Sequence, residues 1–173
     1  HVMTNAADWQ GAVGRNWAAE FERTDRSFSE LNAVLVDRIA SRARPDARIL
    51  DIGCGAGATS LALAERLPMA DIVGIDLSES LALAARARNT DGRVRFEIHD
   101  ATRWSGNGWR PDMLVSRHGV MFFDDPIAAF THFAEIATLG AQLVFSCFQD
   151  RAENEWAVEI PALLPAPPAP PQP

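Results

Sequence analysis

The chain has 173 residues, 47% of them hydrophobic, and a formal net charge of −7. That length suits one domain with a sizeable core. The acidic balance argues against a general nucleic-acid or anionic-membrane surface, and the sixteen basic residues, all Arg with no Lys, reflect a genomic bias.

The opening His1-Val2-Met3 reads as a cloning scar before a start at Met3, and residues 1–7 as a disordered N-terminus. Two helices are predicted next, within a unit spanning 8–46. The first covers 8–23, with Trp9, Trp17 and Phe21 as apolar points. The second covers 27–43, where Phe28, Leu31, Val34, Leu35 and Ile39 recur at helical spacing. Ser27 with Glu30 forms a capping-box pattern, and Arg44-Pro45 ends the helix.

Strands and helices then alternate through a core of 47–150. Strand one is predicted at 47–52, a helix at 58–67, strand two at 71–76, and a helix at 79–88 capped by Ser78. Strand three follows at 93–98. A Gly-, Ser- and Asn-rich connection at 102–110 leads to strand four at 112–116. A helix at 126–138 has Pro126 near its first position, and strand five covers 141–148. This alternation predicts an α/β fold: a doubly wound, mainly parallel sheet with helices on both faces. Seven of the last thirteen residues are Pro, so 151–173 is read as a short helix and a Pro-rich tail. That tail is polyproline-like or disordered, serving as a linker or, less simply, as a ligand for a proline-recognition domain.

Cys54 and Cys147 lie far apart and have no metal spacing, which favours a reduced, cytoplasmic protein. No His, Cys and carboxylate cluster has metal spacing either. No apolar run reaches membrane-spanning length, and no signal peptide is visible.

In such a sheet ligands bind beyond the carboxyl ends of the strands. Those ends carry Asp51, Asp76, Asp100 and Ser116. After Asp51 comes a turn with Gly53, Gly55 and Gly57, where glycine permits φ > 0 and close approach of a ligand to the main chain. Cys54 sits inside that turn. A carboxylate at the end of a core strand is costly to bury without a partner, and Asp51 suits a ligand that brings positive charge. Asp76 is placed to take both hydroxyls of an adenosine ribose, a feature shared with NAD-binding folds. Asp100 either meets an adenine amino group or caps the turn that follows it.

Together these residues resemble the class I S-adenosylmethionine-dependent methyltransferases of the small-molecule type. Asp51-Ile-Gly-Cys-Gly-Ala-Gly is similar to their first motif, Asp76-Leu77 to the second, and Asp100-Ala101 to the third. The run from Val115 to Asp124 resembles their fourth-strand motif. The pattern of Trp9, Gly11, Gly14 and Trp17 resembles their N-terminal signature. The likeness covers roughly residues 8–160, and the combined spacing is specific where single elements are not.

The resemblance implies a Rossmann-like methyltransferase of bacterial, cytoplasmic type that transfers a methyl group from S-adenosylmethionine to a small-molecule acceptor. Asp51, Gly53, Cys54 and Gly55 would hold the methionine end. Asp76 would take the ribose, and Leu77 would pack on adenine. Asp100 and Ala101 would hold the adenine edge, and Ser116 would lie near the methionine through its backbone. Trp17 either closes the site or anchors its helix in the core. His118 is the candidate general base, or else a polar aromatic filler. Arg117 pairs with an acidic substrate or, as we favour, with an internal carboxylate. His99 and His132 read as structural, and Met121, Phe122 and Phe123 as core rather than acceptor pocket.

The family sheet has seven strands, and this chain supplies five, with the C-terminal pair missing. Strand five would then be an edge, with Leu143 and Phe145 at risk of exposure. Three readings compete: a fragment of a longer protein, a partner chain that covers the edge, or a natural short form without activity. We favour a fragment with compensating homodimerisation over that edge. Two functional alternatives remain. One is a module that binds S-adenosylmethionine or S-adenosylhomocysteine without turnover. The other is an NAD-dependent oxidoreductase, since Gly53-x-Gly55-x-x-Ala58 fits that looser fingerprint; Asp51 argues against it, because a pyrophosphate would meet a carboxylate. The sequence does not specify the acceptor.

Overall fold

The computed structural model describes residues 11, 15, 29–117, 119 and 123–146. Trp9, Gly14, Trp17, Ser27, His118, Met121, Phe122, Cys147 and the Pro-rich tail lie outside the described residues.

Helix α1 spans Ser29–Arg42 and buries Leu35, Val36 and Ile39. Strand β1, Arg48–Ile52, is buried at every position after Arg48. Helix α2, Ala58–Arg66, follows the glycine turn. Then come β2 (Asp71–Asp76), α3 (Glu79–Arg88) and β3 (Val94–Ile98). Strand β4 is Met113–Arg117, α4 is Pro126–Ile136 and β5 is Gln142–Ser146. The elements predicted between 29 and 146 are present, with ends moved by one or two residues, and the helices predicted at 8–23 and within 151–173 lie outside the described residues.

The five strands form one sheet in the order β3-β2-β1-β4-β5, and every pair is parallel. The chain therefore winds outward one way from β1 through β3, then returns to β4 on the other side of β1. The order reverses between β1 and β4, where open α/β sheets bind ligands. Asp51 sits at that junction, in register with Gly74 on β2 and Val115 on β4.

Alternation along the strands divides the core. Ile49, Ile72, Val94, Met113 and Val115 pack with Leu35 and Ile39 of α1, Leu63 of α2 and Ala85 of α3. Leu50, Ile52, Val73, Ile75 and Leu114 pack with Ala129, Phe133 and Ile136 of α4. Helices thus cover both faces, as the continuous apolar runs of the strands require. Each fully buried side chain of this size contributes about 1.5–3 kcal/mol.

Two regions differ from expectation. The 102–110 connection is more than a polar loop: it contains a 3-10 turn at Gly106–Gly108 and buries Trp104. The Trp104 indole donates to Glu97 at 2.8 Å. Phe145 is not exposed on β5; it is buried beside Phe130 of α4, with ring centres 6.4 Å apart. Leu143 is half-buried.

Candidate functional site

The turn between β1 and α2 is built from three left-handed glycines, with φ of 65° at Gly53, 55° at Gly55 and 86° at Gly57. Their surroundings differ. A Cβ on Gly53 would stand 2.9 Å from the Gly119 Cα, and one on Gly57 would stand 2.7 Å from the Phe96 ring. A Cβ on Gly55 would meet nothing within 4 Å. The outer glycines are closed by packing, and the middle one faces open space. Gly57 provides no side-chain cap for α2, so the first-turn amides of that helix favour an anionic group such as a carboxylate.

Asp51 lies beneath this turn with 1% of its surface exposed. Its carboxylate accepts a hydrogen bond from Ser60 Oγ at 2.6 Å. Burial pushes its pKa up to about 7; the Ser60 bond and the Arg117 charge oppose that rise, and Asp76 adds to it. The Arg117 charge therefore favours the ionised form of this internal carboxylate. Ser60 was not foreseen. Its signal is position: the first turn of a helix that starts just beyond the strand end.

Asp76, at the end of β2, is also buried. Its Oδ2 accepts from the Gly55 amide at 2.8 Å, and its Oδ1 accepts from the Ser78 amide at 2.8 Å. Burial raises its pKa, while the amide bonds from Ser78, Gly55 and Leu77 hold it down. Asp76 therefore ties the glycine turn to the start of α3, which Ser78 Oγ caps by accepting from the Leu81 amide. Leu77 is half-buried beside it.

The Cys54 amide donates to the Ile75 carbonyl at 3.0 Å, joining the turn to β2. Its thiol is buried, and burial, followed by the charges of Asp76 and Asp51, pushes its pKa well up. It is a neutral packing group. Arg88 supports the turn from α3 through a 2.9 Å bond to the Ala56 carbonyl.

Ser116 is fully buried at the end of β4, and its Oγ donates to the Ile52 carbonyl at 2.7 Å. Asp100 caps its own turn: Oδ1 accepts from the Thr102 amide at 2.9 Å and from Thr102 Oγ1 at 2.6 Å. Ala101 is buried against Trp104 and the α4 side of the core. Residues 51, 53–55, 76, 77 and 116 thus gather around the ends of β1, β2 and β4. Asp100 and Ala101 stand just past β3, the next strand out. Trp17 and His118 lie outside the described residues.

The sequence reading also missed Gly119, the bare position against which Gly53 rests. A cavity of about 410 Å³ opens between α1 and α2, near Asn32, Val36, Ala58 and Arg117, and no strand-end carboxylate lines it. Among the described residues, no group of three or more His, Cys, Asp or Glu side chains could hold a metal ion, and no helix is long and apolar enough to cross a membrane.

Residues 49–140, more than half of the chain, match the family described as methyltransferase domain. The chain belongs to that family. This methyltransferase-family chain is 34% identical over 119 residues to trans-aconitate 2-methyltransferase of Variovorax paradoxus, across 68% of its own length and 41% of that protein. It is 31% identical over 150 residues to ubiquinone biosynthesis O-methyltransferase of Hahella chejuensis, across 83% of itself and 60% of the relative. It therefore spans only about half the length of these curated relatives. In structure it is similar to the plantazolicin methyltransferase BpumL in complex with SAH, with a TM-score of 0.67 and 22% identity. That match covers 83% of this chain and 57% of BpumL, and it shows a shared fold.

Proposed function

We propose that this chain is the cofactor-binding part of an S-adenosylmethionine-dependent methyltransferase that acts on a small-molecule acceptor. One observation carries the reading most. The glycine turn has open space at Gly55, the buried carboxylate of Asp51 beneath it, and Asp76 bonded to its central amide. The Asp51 carboxylate beneath the turn disfavours a pyrophosphate and favours a ligand with an ammonium and a sulfonium, which counts against the NAD reading. The relatives named for trans-aconitate and ubiquinone biosynthesis support a small acceptor.

The cofactor, when bound, supplies a methyl group already activated by its positively charged sulfur. The chain's own part is to bind and orient. In this proposal the α2 amides and Gly53, Cys54 and Gly55 receive the methionine end, with Asp51 as the negative charge behind them. Asp76 accepts from the ribose hydroxyls with lone pairs that its amide bonds leave over. Leu77 packs on adenine, Asp100 and Ala101 line its edge, and Ser116 fixes the strand-four backbone beside the methionine. Trp17 closes the site and His118 serves as base where the acceptor is a hydroxyl. Holding donor and acceptor in line is worth about 7–11 kcal/mol.

Transfer of labelled methyl to a panel of small acids and phenols, trans-aconitate among them, tests the activity. Transfer to at least one acceptor is expected. S-adenosylhomocysteine binding without any transfer would favour the non-catalytic reading, which the chain's partial span of its relatives keeps in view. We further place the protein in the bacterial cytoplasm, as a homodimer over the β5 edge. Among the described residues β5 pairs with β4 alone, and a free edge invites pairing. Sedimentation should show a dimer at micromolar concentration; a monomer at all concentrations would contradict that part.

A further inference from the structure

The strand-end motifs account for one side of the glycine turn and leave the other unexplained. Gly119 follows β4, within the 115–124 run, and has no role in the cofactor reading above. A Cβ there would stand 2.5 Å from the Ile52 carbonyl oxygen, 2.7 Å from Ser116 Oγ and 3.1 Å from the Gly53 Cα. In the other direction, a Cβ on Gly53 would stand 2.9 Å from the Gly119 Cα. Two bare backbones therefore press on each other, and the Ser116 Oγ bond to the Ile52 carbonyl locks the junction at 2.7 Å. The backbone of Gly119 is not in the left-handed region. Its lack of a side chain is set by this contact and not by its own torsion.

We propose that Gly119 is a positioning residue: it is the stop that sets where the glycine turn presents its backbone to the cofactor. The inference rests on the cofactor reading above. The physical reason is the stiffness of the neighbours. All three approaches of a Cβ on Gly119 are to backbone atoms or to a fully buried hydroxyl, so an added methyl cannot be absorbed by a flexible side-chain end. The turn must shift instead. Its opposite side is closed by the Phe96 ring over Gly57, so the displaced turn moves toward the open side at Gly55, where the ligand would lie.

Gly119→Ala and Gly140→Ala form the test. Gly140 precedes β5, at the amino ends of the parallel strands and away from the turn; its φ is 79° and a Cβ there meets nothing within 4 Å. Gly140→Ala therefore lowers stability through torsional strain without touching the turn. Calorimetry with S-adenosylhomocysteine should show tenfold or greater loss of affinity in Gly119→Ala and less than twofold in Gly140→Ala, at temperatures where both are folded. Amide hydrogen exchange should quicken at 53–57 in Gly119→Ala while β2 and β3 stay protected. Equal affinities in the two variants, or unchanged exchange in the turn, would overturn the proposal. Should Gly119→Ala fail to fold, Ser116→Ala loosens the same junction without adding atoms; wild-type affinity in that variant also overturns it. Absence of binding by the wild-type chain would instead sink the cofactor reading, and this inference with it.

Discussion

Burial makes Asp51 expensive to ionise, and its carboxyl titrates near neutrality, at about 7, against an ordinary 3.8. Because the folded pKa is the higher one, the neutral form's contribution to stability is full below the unfolded pKa. It is lost as pH rises through the folded pKa. A bound cation reverses the preference, since it favours the carboxylate. S-adenosylhomocysteine affinity should therefore rise between pH 6 and 8, by up to about tenfold per pH unit below the folded pKa. Binding near pH 7 should release protons, visible as a buffer-dependent calorimetric heat. Asp76 is raised as well, and the two carboxylates interact, so the titration belongs to the pair. Asp51→Asn keeps an acceptor for Ser60 and removes the buried charge. It should stabilise the free chain at pH 8, weaken binding about tenfold, roughly 1.4 kcal/mol, and flatten the pH profile. A flat profile in the wild type would contradict this account.

At the scale of elements, the glycine turn and the start of α3 are one unit, joined by Asp76. Removing the α3 cap in Ser78→Ala should cost about 1 kcal/mol in chemical denaturation and leave ligand affinity within about twofold. Gly55→Ala should lose binding as well as stability. Its left-handed φ costs about 1–2 kcal/mol, but the added methyl enters the open space reserved for the ligand and should abolish measurable binding. Equal effects of the two changes on affinity would refute this division of labour. The same elements show what the sequence could tell. Ser78 before α3, and Pro126 at the start of α4, were legible because a helix start is set within about three residues. The strands were legible because both of their faces are buried. The Ser60 bond to Asp51, the Asp76 bond to Gly55 and the contact of Gly119 with Gly53 were not, since they join residues separated by 9, 21 and more positions. Asp100 was legible only as two alternatives, and its bonds from Thr102 show that it caps its own turn.

For the whole molecule, the order β3-β2-β1-β4-β5 follows from right-handed crossovers on a sheet that reverses direction once. That reversal brings Asp51, Asp76 and Ser116 to the same end of three neighbouring strands although Asp51 and Ser116 are 65 positions apart in sequence. Phe145 shows where whole-molecule packing corrected a local reading: an apolar residue on an edge strand is covered by Phe130 of α4. Calorimetric titration of the wild-type chain and Asp76→Ala with S-adenosylhomocysteine, and of the wild type with NAD, tests the central claim. One S-adenosylhomocysteine should bind per chain, Asp76→Ala should weaken it at least tenfold while remaining folded, and NAD should give no binding heat. NAD binding without S-adenosylhomocysteine binding, or unchanged affinity in folded Asp76→Ala, would contradict it.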